Sequence, residues 1–94
     1  MTSKVVMFMI NAKKIYSNPG DFILLEADGV FYIDVLIPNF YPNSHFDVSK
    51  TFILTNEDEN KKEDIDYLKS LASDIRKDWK IYSSREVMNV KITD

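Results

Sequence analysis

The sequence predicts an α+β fold: one small domain with a mostly antiparallel sheet of four to five strands, in the order β-β-β-β-α-β, and one long amphipathic helix packed on one face. Three observations carry this reading. Asp28-Gly29 separates two apolar runs within Asp21–Pro38, the pattern of a hairpin closed by a type I′ turn, which needs positive φ at both central residues. Ile65, Leu68, Ala72, Ile75, Trp79 and Tyr82 recur at spacings of three and four, one apolar face of a helix. Glu86–Thr93 alternates apolar and polar residues, the period of a strand.

Taken in order, the chain opens with an apolar run, Val5–Ile10, inside a segment Lys4–Tyr16 that reads as a strand buried on both faces; a short helix is the other reading of the same pattern. Ser17-Asn18-Pro19-Gly20 is a turn. The hairpin follows, and its turn pairs Ala27 with Val30, Leu25 with Tyr32 and Ile23 with Asp34. Strand side chains alternate faces. One face then carries Phe22, Leu24, Phe31, Ile33, Val35 and Ile37; the other carries Ile23, Leu25, Ala27, Val30, Tyr32 and Leu36, with Asp34 among them. Both faces are mostly apolar, whereas a small antiparallel sheet ordinarily keeps one wet. The second face therefore needs a cover, either the rest of the chain or a second copy of it.

Pro38 ends the hairpin because proline donates nothing to a ladder. The loop Ile37–Phe46 holds three aromatics, Phe40, Tyr41 and Phe46. Phe46–Thr55 reads as a strand near an edge, with Phe46, Val48, Phe52 and Leu54 on one side and Asp47, Ser49, Thr51 and Thr55 on the other. Asn56–Lys62 is a charged connector, and Asn60 with Glu63 resembles a capping box. The helix is expected from about Lys61 to Tyr82. Six or seven buried side chains at ~1.5–3 kcal/mol each would anchor it on the Phe22/Phe31 face. Ser83-Ser84 end it, and Glu86–Thr93 returns to the sheet.

Composition excludes several chemistries. With 94 residues the chain suits one domain, residues 1–94, with one core. It has no cysteine and a single histidine, which removes disulfides, thiolate nucleophiles and cysteine-ligated metals and leaves little ground for a histidine-based metal site. A net charge of −3 gives no bulk attraction to nucleic acid or anionic membrane. The apolar run Val5–Ile10 is too short to span a bilayer and does not read as a signal peptide, so the expected location is the cytoplasm. No cofactor and no metal is expected. The acidic run Glu57–Asp66 lacks the glycine of a calcium loop and is interrupted by Lys61 and Lys62, so it reads as a solvated cap and connector.

Among single residues, Asp34 is the oddity. A carboxylate on an apolar face must be paired, hydrogen-bonded or protonated. It is either a perturbed acid in a pocket or a residue near the open end of the sheet. His45 has no evident partner and reads as a loop histidine. The loop aromatics either fold back on the core or touch a partner.

The run Gly29–Pro42 resembles the β-meander of ubiquitin-conjugating enzymes and the related RWD domains, where a strand ends in a Pro-x-x-Tyr-Pro turn, here Pro38, Tyr41 and Pro42. The following paired prolines, the His-Pro-Asn element and the catalytic cysteine have no counterpart in this sequence. The resemblance therefore implies a non-catalytic binding domain.

The function expected from these residues is a small acidic, non-enzymatic protein-interaction module. Its partner is another protein, and it self-associates as a homodimer through the second sheet face. Size, acidity and a lysine-, isoleucine- and asparagine-rich composition suggest a viral, phage-type modulator or inhibitor of a host protein. Partner-binding candidates are Phe40, Tyr41, His45, Tyr32 and Leu25. The alternative is a single-stranded nucleic-acid binder using Tyr16, Tyr32, Phe40, Lys13 and Lys14; a small enzyme using Asp34 with Glu26 is the third.

Overall fold

Two tight turns organise the first half of the chain. Gly20 has φ +79° behind Pro19, and the Asp21 amide bonds the Asn18 carbonyl at 3.0 Å, closing the first turn. Asp28 and Gly29 both have positive φ, 52° and 81°, as the expected type I′ turn requires. The Glu26 side chain accepts from the Gly29 amide at 2.8 Å and so braces that turn. The computed structural model describes residues 9–38 and 47–93. It contains β1 (Ile10–Asn18), β2 (Phe22–Ala27), β3 (Val30–Ile37), β4 (Val48–Ile53), α1 (Asn56–Asn60), α2 (Ile65–Lys77), a 3₁₀ helix (Trp79–Arg85), β5 (Glu86–Val87) and β6 (Val90–Thr93).

The α+β class is as expected, with differences in detail. Among the described residues one sheet has six strands in the order β5-β4-β3-β2-β1-β6. The hairpin register is the one the turn dictates, with Leu25 opposite Tyr32 and Ile23 opposite Asp34. What the sequence did not reveal is that Glu86–Thr93 is two strands on opposite edges. β5 pairs antiparallel with β4, and two residues later β6 pairs parallel with β1. The sheet must curl until both edges reach this one returning segment. Four alternating strands closed by a fifth segment force one parallel pair, and β1·β6 is that pair.

The single long helix expected over Lys61–Tyr82 is two pieces, α2 and the 3₁₀ helix. Asn56–Lys62, expected as a connector, begins with α1, and the capping box is Thr55 with Asp58 rather than Asn60 with Glu63. Asp64 caps α2 by accepting from the Tyr67 amide. Asp78 then leaves helical geometry at φ −151° and ψ 72°. The apolar period runs on through Trp79 and Tyr82, but a continuous helix would carry the chain away from the sheet edge that β5 must reach. The early strand also differs. The described part of β1 is buried only at Ala12 and mostly exposed elsewhere, and a register shift between Lys14 and Tyr16 marks a bulge. Val5–Phe8, expected to open that strand, lies outside the described residues.

Two cores result. On the convex face, Phe22, Leu24, Ile33, Val35 and Phe52 pack against Leu68, Leu71, Ala72 and Ile75 of α2. On the concave face, Ala12, Leu25, Ala27 and Tyr32 form a second cluster, joined by Ile10, Ile23, Val87 and Val90. The chain thus covers its own second face by curling. No helix among the described residues is long and apolar enough to cross a membrane.

Candidate functional site

The site is the seam where, among the described residues, the curl does not close. β5 covers only Thr51 and Phe52 of β4, while β6 has moved over to β1. Between them, Val48–Thr51 and, from the returning segment, Glu86, Val87, Met88, Val90 and Ile92 line a cleft of about 330 Å³ together with Asp34. A smaller cavity of about 160 Å³ adjoins on the other side of Asp34, lined by the Ser17–Ile23 turn, Leu36 and Ser49.

Ladder phase settles which backbone groups face the cleft. The Ile10 amide bonds the Asn89 carbonyl at 2.7 Å. In a parallel ladder the residues 89, 91 and 93 then bond to β1, and Val90 and Ile92 turn their N–H and C=O groups outward. On the other side, the Leu54 amide bonds the Phe31 carbonyl at 2.9 Å. This makes 31/54, 33/52 and 35/50 the mutually bonded pairs, so Ser49, Thr51 and Ile53 turn their backbone groups away from β3. Thr51 is paired with Val87, and the Ile53 carbonyl accepts from Arg85 Nε at 3.1 Å. Ser49 projects its groups into the seam. Two strand edges therefore face one cleft. Met88 beside it is 82 % exposed, and Ile92 is 38 % exposed.

Asp34 is 7 % exposed. Its Oδ1 accepts from Thr51 Oγ1 at 3.0 Å, across the register pair that joins β3 to β4. Burial raises its pKa above the usual carboxylate range, and the Thr51 hydrogen bond offsets this only in part. The structure favours the reading of Asp34 as a perturbed acid beside a pocket over the one that turns it to water or a lysine. Two cations of this region are paired elsewhere. Lys50 Nζ lies 3.1 Å from Glu86 and over the Trp79 ring, and Arg76 binds Asp21 at 2.7 Å.

A second polar centre was read from sequence as solvated. Asp58 is buried, and it accepts from Tyr67 Oη at 2.5 Å, from Arg85 Nη2 at 2.6 Å and from the Thr55 amide. Burial works against its charge, but the hydrogen bonds from Tyr67 and Thr55 and the Arg85 guanidinium outweigh it and hold its pKa low. The same bond is the first cause that pushes Tyr67 up to about 12. This network ties α1, α2 and the 3₁₀ helix together. The sequence signal for it was the Thr55-x-x-Asp58 spacing of a capping box.

The expected partner-binding residues divide. Leu25 is fully buried and Tyr32 is 6 % exposed, both in the concave core, so they are not surface groups; the curl that covers their face is the reason. Phe40, Tyr41 and His45 lie outside the described residues. Of the nucleic-acid candidates, Lys13 and Lys14 are exposed on β1 and Tyr16 packs beside Phe22, while Tyr32 is inside. Glu26 stands on the convex face, opposite Phe31 in the register, and does not meet Asp34. Seam residues Ser49, Met88, Val90 and Ile92 were missed, because an edge is visible only once strand order is known. No protein family, curated protein or solved structure matches the chain.

Proposed function

We propose that the chain is a non-enzymatic protein-interaction module that takes an extended segment of another protein into the seam between β4 and β6. The observation that carries this is the pair of outward-turned edges, Ser49 on one side and Val90 and Ile92 on the other, facing one cleft. Unpaired strand edges are templates for another strand, and side-chain pockets beside them supply selectivity. Met88 and Ile92 add apolar surface at the rim. The acidic balance of the chain favours a basic partner. A host protein held by a phage-type modulator fits this reading, and so does a homodimer built edge to edge.

The test selects peptides from a random displayed library against the full chain and maps them by amide hydrogen exchange. Selected peptides are expected to slow exchange at Ser49, Val90 and Ile92. Ile92→Pro removes one outward N–H and leaves the β1·β6 ladder intact, so it should weaken binding at least tenfold with an unchanged fold. Peptides that bind without protecting those amides would overturn the reading. Self-association abolished by the same substitution would identify a second copy as the occupant.

A further inference from the structure

We infer that Asp34 is the selectivity determinant of the seam, accepting a lysine or arginine side chain carried by the inserted segment. This rests on the strand-insertion reading above and names the partner's chemistry.

Asp34 as a residue is 7 % exposed, yet Thr51 supplies its side chain's one hydrogen bond among the described residues. Its other oxygen has no partner there, although no buried side-chain oxygen is sealed off without one. Asp34 lines both cavities. The surrounding side chains suit a long aliphatic stem with a polar tip. Ile23 and Leu36 lie on the turn side, and Val48, Val90 and Ile92 lie on the seam side. A cleft of about 330 Å³ is large beside the ~30 Å³ share of one liquid water, and has room for such a side chain.

Charge decides between a basic and a neutral occupant. An ionised carboxylate in apolar surroundings is under-solvated, and an arriving ammonium or guanidinium supplies the missing counter-charge. Lys50, which lines the seam cleft, is committed to Glu86 there, and Arg76 is committed to Asp21. The Asp34 charge is thus not neutralised by either of them, and the concave face presents it at the point where an inserted strand would pass.

The experiment is an NMR titration of the full chain with N-acetyl-arginine-N-methylamide, the matching capped lysine, and capped citrulline, which has arginine's shape without its charge. The capped cations are expected to shift the Asp34 carboxyl and the Thr51 and Ser49 amide signals saturably, and citrulline is expected to bind at least tenfold more weakly. Asp34→Asn should abolish the difference. Equal binding of arginine and citrulline overturns the inference on the native protein alone, whatever the variant does. Tighter saturation by free spermidine than by either capped residue would overturn a side-chain origin. Failure here leaves the amide-protection result standing, so the two readings fall separately.

Discussion

Asp34 and Asp58 are both buried carboxylates, and they have opposite effects on the fold. Asp34 has a pKa raised by burial, so the folded chain holds its proton more tightly than the unfolded chain does. Stability contributed by that proton is fully present below the ordinary carboxylate pKa and is lost as pH rises through the raised value. Asp34→Asn, which keeps the shape and the Thr51 contact, is therefore expected to be more stable than the native chain at pH 7. That advantage should shrink as pH falls into the ordinary carboxylate range. Asp58 has a lowered pKa, so its contribution is present above the ordinary value and is lost as pH falls through the lowered one. Asp58→Asn should cost about 1.5–3 kcal/mol at pH 7, the range for hydrogen bonds to charged groups. Urea unfolding of both variants at pH 7 and pH 4 checks the signs. A destabilised Asp34→Asn at pH 7 would remove the case that this side chain is costly in its own fold.

At the scale of elements, Arg76 fixes where α2 lies. Its Nε donates to the Leu36 carbonyl at 2.9 Å, and its Nη2 donates to the carbonyl and carboxylate of Asp21 at 3.1 and 2.7 Å. One guanidinium thus joins the end of α2 to the start of β2 and the end of β3. A lysine cannot make this fork. Arg76→Lys is expected to cost about 1–3 kcal/mol, read as a lower urea midpoint with unchanged slope. Leu68→Ala, at a fully buried position in the convex core, should cost about 2–5 kcal/mol in the same assay. The helix face that holds Leu68 was legible, because its apolar spacing repeats over several turns. The break at Asp78 was not. Trp79 and Tyr82 keep the helical period, and only the need to return β5 to β4 explains why the helix stops.

At the scale of the molecule, the curl decides what is surface. Tyr32 belongs to a strand face that an open sheet would expose, yet the chain buries it. Tyr32→Glu is accordingly expected to unfold the protein or lower its stability by several kcal/mol, since it places a charge in an apolar cluster. Circular dichroism with light scattering over a dilution series checks this. A folded Tyr32→Glu monomer obtained from a native dimer would instead restore the concave face as a self-association surface.

The sequence by itself determined the α+β class, the hairpin and its register, the two apolar faces of β2 and β3, the face of α2 that meets the sheet, and the anomaly of Asp34. These follow from local rules: turn residues that set backbone angles, and side-chain periods of two and of 3.6. Only the tertiary structure decided that Glu86–Thr93 serves both edges, that the second face is covered from within, and that Asp58 is a buried hub. It alone placed Ser49, Val90 and Ile92 across an open seam. Those facts depend on which strands become neighbours, and periodicity carries no record of a partner far along the chain.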